Sequence, residues 1–224
     1  MQDTHSHYTG EVVSGGPSDV RDLGTLTIRK ASVGPMNNNV YLLTPSDGSG
    51  SLLIDAAADA ARINGLIAES AAPVATIVTT HRHPDHTGAL VEIAEATGAE
   101  TIAGVRDAAA LPLPADRTVD HGDTITVGEH TVDVIALRGH TPGAIALAWT
   151  APDGSVHLFT GDSLFPGGVG KTDSPEDFAS LIDDIEQRLF DVYDDDAWVY
   201  PGHGSDTTIG TERPSLPEWR QRGW

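Results

Sequence analysis

Short apolar runs alternate with turn-forming clusters along this chain, and the spacing within the runs changes from strand-like to helix-like and back. Leu26 to Val33 and Val40 to Leu43 read as two strands that pair, and Ser51 to Ile54 continues the same sheet. Ala57 to Ala71 has helical composition, and Val74 to Thr79 is the continuous apolar run of a buried strand. From Thr87 to Thr97, residues Leu90, Ile93, Ala94 and Thr97 share one helical face, with Gly98 as a stop. Between Val119 and Phe159, alternating runs broken by Gly-Asp, Gly-Glu and Asp-Gly predict antiparallel strands. Pro175 to Leu189 is the clearest amphipathic helix, because Phe178, Leu181, Ile182, Ile185 and Leu189 recur on one side and suit core packing.

Strands and helices in a first half and again in a second suit an α+β sandwich of two sheets with helices outside. Periodicity by itself gives only mixed α and β. Residues 1–25 read as a flexible N-terminal segment and residues 26–224 as a single domain. The ending, Pro214 to Trp224, carries Trp219 and Trp224, which pack either on the body or on a second subunit. The oligomeric state is not legible.

Chemistry concentrates in Thr80-His81-Arg82-His83-Pro84-Asp85-His86-Thr87-Gly88, directly after the apolar run that ends at Thr79. On an extended segment His81 and His83 project to one side and can meet one ion. Asp85 and His86 would start the next helix, displaced from that pair, where they could serve a second ion. Three more clusters follow strand-like runs: Gly139-His140-Thr141-Pro142-Gly143, Thr160-Gly161-Asp162-Ser163 and Pro201-Gly202-His203-Gly204. Ligand groups at the carboxyl ends of four strands can converge on one rim. A lone histidine is more often a surface or core residue than a ligand. His5, His7, His121, His130 and His157 keep that ordinary reading, since they stand in a polar tail, in turns or singly on a strand.

These ordered motifs resemble the metallo-β-lactamase superfamily and, within it, short glyoxalase II-like hydrolases, over roughly Leu26 to Glu212. The resemblance implies the four-layer αβ/βα sandwich. It implies that His81, His83 and His140 hold a first divalent ion, Asp85, His86 and His203 a second, and that Asp162 bridges them. Asp55 matches an early aspartate that supports such a site by hydrogen bonding. The expected cofactors are two divalent ions, zinc first, with iron or manganese as alternatives. The Gly-rich turn Gly167-Gly168-Val169-Gly170-Lys171-Thr172 resembles one that grips a substrate carboxylate, which makes Lys171 a substrate-binding candidate beside the plain reading of an exposed turn lysine. Only 21 residues follow His203, which does not suit the separate helical domain of full-length glyoxalase II and loosens the tie to glutathione.

Charge and composition narrow the partners. The chain has 33 acidic and 13 basic side chains, a formal charge of −20, which argues against nucleic acid and anionic membranes. No apolar run approaches the roughly 20 residues that span a bilayer, and Met1 to Gly16 lacks the features of an export signal, so the expected location is the cytoplasm. With no cysteine there is no disulfide, thiolate ligand or cysteine nucleophile.

Two ions about 3.5 to 4 Å apart lower the pKa of a shared water towards neutrality and polarise a carbonyl. The expected activity is therefore hydrolysis of small-molecule acyl thioesters, hydroxyacylglutathione hydrolase-like, with Asp85 and Asp162 also taking up a proton as catalytic groups. The alternatives are a mononuclear iron persulfide dioxygenase using His81, His140 and Asp162, a lactonase of the same fold, and a non-catalytic metal-stabilised binding module. β-Lactam hydrolysis fits less well, because enzymes with the nearest ligand pattern use a cysteine that this chain lacks.

Overall fold

The structure, a computed structural model, describes residues 8–223. His5, His7 and Trp224 lie outside the described residues. The first sheet comprises β1 (Asp19–Asp22), β2 (Leu26–Val33), β3 (Asn38–Pro45), β4 (Ser51–Ile54), β5 (Val74–Thr79), β6 (Glu100–Gly104) and β7 (Arg117–Val119), side by side in chain order. Its first four strands are antiparallel, and β4 to β7 run parallel. Helices α1 (Ala60–Ala68), α2 (Pro84–Thr87) and α3 (Leu90–Thr97) lie within this half of the sequence.

The second half supplies β8 (Thr124–Val127), β9 (His130–Ala136), β10 (Ile145–Thr150) and β11 (Val156–Gly161), then a small hairpin, β12 (Leu164–Phe165) with β13 (Gly168–Val169). It ends with β14 (Trp198–Pro201) and β15 (Thr207–Thr208). The second sheet has the order β15-β14-β11-β10-β9-β8, and only the β11–β14 pair is parallel. Its helices are α4 (Pro175–Ile185), α5 (Ile209–Glu212) and α6 (Leu216–Arg222).

Two-residue periodicity explains the layering. On β3, Tyr41 and Leu43 enter the core between the sheets, while Val40 and Leu42 join the outer cluster with Ile63, Leu66, Leu90 and Ile93 of α1 and α3. On β10, Ile145, Leu147 and Trp149 face the intersheet core, and Ala146 and Ala148 meet Phe178, Leu181 and Ile182 of α4. Each sheet thus has two apolar faces, one for its partner sheet and one for helices, which gives the four-layer αβ/βα sandwich. A fully buried side chain of the Leu181 or Ile93 type contributes about 1.5–3 kcal/mol. The start of α4 is fixed by Ser174, whose hydroxyl accepts from Asp177 N, by Pro175 in the first turn, and by Glu176 and Asp177 near the positive helix end.

Several element boundaries differ from expectation for local reasons. The helix expected from Ala57 starts at Ala60, because Asp59 adopts a left-handed conformation (φ 51°) and caps Arg62 N. The helix expected from Thr87 is split: Ala89 N bonds Ala56 O, so α2 ends before α3 begins. Past Ile185 the last predicted helix widens into a π-turn over Glu186–Phe190, closed by Asp191 N to Glu186 O. The flexible segment expected over residues 1–25 requires correction for residues 8–25. Tyr8 sits in the intersheet core, Thr9 N and Gly10 N donate to Asp19 Oδ2, and β1 pairs with β2. Long-range packing of one tyrosine and one aspartate orders a stretch whose composition is otherwise that of a tail. Trp219 is buried within the chain's own outer core, 6.3 Å from Phe190.

His157 and His130 keep structural roles. His130 packs edge-on against Trp149 and its Nε2 meets Thr25 O at 3.1 Å. His157, 2% exposed, stacks on Trp149 and pairs through Nδ1 with the Tyr200 hydroxyl at 2.9 Å. Burial, reinforced by the Arg21 charge, holds its imidazole down at about 4. The unfolded chain therefore binds the proton more readily, so this contribution to stability is complete above about pH 6.5 and is lost as pH falls towards 4. His157→Phe is expected to flatten the acid side of the stability profile by up to about 3 kcal/mol between pH 7 and 4. Denaturant melts of both proteins across that range check it; parallel profiles would show that His157 does not titrate on unfolding.

Candidate metal centre

Five loops on one rim of the sandwich carry the predicted groups. Asp55 follows β4, His81 and His83 follow β5, Asp85 and His86 lie in α2, His140 lies between β9 and β10, Asp162 follows β11 and His203 follows β14. Donor atoms of His81, His83 and His140 lie within 4.8 Å of one another, as do those of Asp85, His86 and His203. Asp162 stands between the two sets. Its Oδ2 is 3.5 Å from His140 Nε2, 4.0 Å from His81 Nε2 and 3.3 Å from His203 Nε2, and its Oδ1 is 3.3 Å from His86 Nε2.

The imidazoles are oriented from behind, and this fixes which nitrogen faces the centre. Asp55 accepts from Thr80 N, from Thr80 Oγ1 and from His86 Nδ1. With its hydroxyl hydrogen given to Asp55, Thr80 Oγ1 accepts from His81 Nδ1 at 3.0 Å. His140 Nδ1 donates to Lys171 O at 2.7 Å, and His203 Nδ1 donates to Met36 O at 2.9 Å. Four Nε2 lone pairs are thereby turned inward. Donors of Asp55, His81 and His86 also cluster, but Asp55 is already saturated by Thr80 and His86 and acts as an orienting carboxylate.

This arrangement fits metal ions on the evidence of its own polar atoms. His86 Nε2 and His203 Nε2 approach to 3.1 Å, and His83 Nδ1 and His140 Nε2 to 2.9 Å. Two lone pairs cannot face each other so closely unless a cation or proton lies between them. His81 Nε2 and Asp162 Oδ1 are buried without a hydrogen-bond partner, where an unsatisfied polar atom costs about 1–3 kcal/mol. The donors are nitrogen and carboxylate oxygen, a set suited to zinc, iron or manganese.

Protonation follows the same geometry. Burial, then the neighbouring His86, pushes His81 well below the usual imidazole range, and burial likewise lowers His140. For His86 burial opposes charge, but the Asp162 and Asp55 carboxylates beside it prevail and raise it to about 10, so the proton it carries must leave when an ion takes Nε2. Burial opposes ionisation of Asp162 too; the His203 and His86 rings 3.3 Å away prevail and hold it far below the carboxylate range. Asp85 is also lowered, because Asn38 and the histidine charges outweigh its desolvation.

Structure adds supports that the motifs do not show. Asn38 Nδ2 donates to Asp85 Oδ2 at 2.9 Å and lies 3.4 and 3.5 Å from His86 and His203 Nε2. Asp107 ties two ligand loops together, accepting from Arg82 N, Thr141 Oγ1 and Gly143 N. The buried Lys30 ammonium donates to Gly10 O, Gly204 O and Asp206 Oδ1, pinning the loop that carries His203. Gly202 is required there, because a Cβ would stand 2.1 Å from Asp162 Oδ1. Asn38 lies in the run Asn37-Asn38-Asn39, the one sequence signal that could have exposed it. Lys171 is exposed, with its side chain beside a cavity of about 490 Å³ lined also by Val169, Thr172, Ser174 and Gly223. No helix among the described residues is long and apolar enough to cross a membrane.

Known proteins share this framework. The hydroxyacylglutathione hydrolase GloC of Haemophilus influenzae is 32% identical over 191 residues, covering 76% of this chain and 88% of that protein. The structure of ETHE1 from Myxococcus xanthus matches with a TM-score of 0.76 and 28% identity, over 87% of this chain and 84% of that one. That of TTHA1623 in a di-iron-bound form matches with a TM-score of 0.68 and 30% identity, over 84% and 98%. The family model described as the metallo-beta-lactamase superfamily matches residues 33–203, a span that encloses every donor from Asp55 to His203. The chain belongs to the metallo-β-lactamase superfamily.

Proposed function

We propose that this chain is a dinuclear metal-dependent hydrolase cleaving acyl thioesters of a small thiol, in the manner of glyoxalase II. The observation that carries the reading is the complete double donor set around Asp162, with lone pairs of both sets turned inward. The similarity to a protein named hydroxyacylglutathione hydrolase, over 76% of this chain and 88% of that protein, supports the thioester part. In this reading His81, His83 and His140 hold one ion, Asp85, His86 and His203 the other, and Asp162 touches both. Ions held there supply an acidified water and an electrophile for the substrate carbonyl, zinc being the first choice and iron or manganese the alternatives.

The chain's own residues supply the rest. Asp85 Oδ2 and Asp162 Oδ2 face the centre, and Asp85, the more exposed of the two, is the better placed to take up the proton released by the attacking water. Burial keeps His81 and His140 neutral, as donors must be. A thiolate departs at neutral pH with little need of a general acid, so a site that offers carboxylates and neutral imidazoles suits a thioester. Lys171 extends beside the 490 Å³ cavity, placed to attract a carboxylate on the thiol part. The cytoplasm is the proposed location. A mononuclear persulfide dioxygenase would need only His81, His140 and Asp162; the second set, with Asn38 buried behind Asp85, favours the hydrolase.

Zinc-loaded protein is expected to release thiol from lactoylglutathione or simpler acyl thioesters at enzymatic rates. Absence of release from folded, metallated protein, with oxygen uptake on a persulfide or opening of a lactone instead, would replace this reading. Lys171→Ala is expected to raise KM by about fivefold, the equivalent of ~1 kcal/mol, for thioesters with a carboxylate on the thiol part. An unchanged KM would return Lys171 to the solvent. Asn38→Ala is expected to weaken binding of the second ion by roughly 10- to 100-fold and leave the first unaffected. Chelator competition followed by metal analysis measures this, and equal weakening of both ions would contradict the assignment of Asn38 to one set.

A further inference from the structure

A second cavity, of about 280 Å³, is lined by Pro142 and Gly143 of the loop that carries His140. Its floor is backbone: a Cβ on Gly104 would stand 2.1 Å from Gly143 O, and one on Gly143 would stand 2.4 Å from Asp107 N. That floor is held by the buried Asp107, which accepts from Gly143 N at 2.9 Å. Around it stand Arg106, Arg138, Arg188 and His121, with Val105 and Pro142 as apolar wall. Three arginines at one cavity are unusual in a chain carrying 33 acidic and only 13 basic side chains.

Local charge bookkeeping leaves the cavity positive. Arg138 and Arg188 share one carboxylate, Asp184, at 2.7 and 3.4 Å. Arg106 is exposed and has no hydrogen-bond or ion-pair partner among the described residues. Asp107 at the floor is paired with Arg82 at 3.9 Å, and Asp120 is the acidic residue in the lining, so four guanidiniums stand against the three carboxylates Asp107, Asp120 and Asp184. Arg138 commits Nε and Nη2 to Asp184, and Arg188 gives Nη1 to Ala136 O, so each is held in place from behind with donors to spare. Preorganised guanidinium forks beside a free one match the oxygens of a carboxylate or phosphate.

We propose that this cavity is an anion-binding site, distinct from the metal centre, that takes a carboxylate or phosphate group of a small molecule through Arg106, Arg138 and Arg188. The anion comes either from the distal end of a substrate or from a separate effector. In both cases it packs against Pro142 and Gly143, within three residues of His140. The inference does not depend on the thioesterase reading.

Inorganic phosphate, titrated at constant ionic strength into zinc-loaded protein, tests it by amide NMR. Saturable shifts at Val105, Arg106, His121 and Gly143 are expected. Arg106→Gln, an exposed substitution, should weaken them about tenfold, the worth of one charged hydrogen-bonding group. Shifts confined to the loops of His81, Asp162 and His203, or a response identical in Arg106→Gln, would overturn the site. The sources separate by kinetics on substrate pairs with a free or amidated distal carboxylate. Loss in Arg106→Gln limited to the free acid identifies a substrate tail, and equal kinetics on both with loss of the phosphate response identifies an effector.

Discussion

Everything at the rim depends on one constraint: imidazole lone pairs are forced to face each other about 3 Å apart around the half-buried carboxylate of Asp162. His86 with His203 and His83 with His140 meet at 3.1 and 2.9 Å, and Asp162 lies against both pairs. Such a cluster is repulsive by itself and becomes favourable around positive charge. The surrounding protein is organised to maintain it. Asp55, Lys171 O and Met36 O each take an imidazole N–H from behind, so His86, His140 and His203 cannot turn their lone pairs away without losing a hydrogen bond.

The sandwich makes this arrangement affordable by spending rigid sheet ends on it. Parallel β4 and β5 deliver Asp55 and the His81 loop side by side, and parallel β11 and β14 deliver Asp162 and His203. Two apolar faces per sheet supply the core that holds the five loops to within hydrogen-bond tolerance. The Lys30–Asp206 pair, with side chains 0% and 2% exposed, then fixes the last loop. A buried pair of this kind adds little net stability but makes the removal of either partner costly, which suits a device for position. The cationic cavity behind Pro142 and Gly143 uses the same economy: glycine backbones approach closely, and guanidiniums are braced by Asp184.

Much of this was legible in the chain. The strands from Leu26 to Thr79 and the helix at Pro175 follow from apolar period, and the donors announce themselves because histidine and aspartate follow strand-like runs at four places. The supports were not legible, since their partners are remote. Beyond its run of asparagines Asn38 has no local pattern that marks it, and its role shows only once Asp85, 47 positions later, is beside it. Lys30 reads as a polar strand residue until Asp206 closes on it, and Tyr8 reads as tail until the intersheet core receives it. Residue type and spacing encode what a side chain can do, whereas its partner is set by tertiary packing. The early end of α2 has the same origin, a bond from Ala89 N to Ala56 O that no local pattern contains.

Native mass spectrometry of the zinc-loaded protein beside its Asp162→Ala variant tests the central claim most directly. The account predicts two ions per chain, and loss or marked weakening of both in the variant, because one carboxylate lies against both donor sets. A single ion in the parent protein, or two ions retained with unchanged affinity after the substitution, would contradict a shared dinuclear centre.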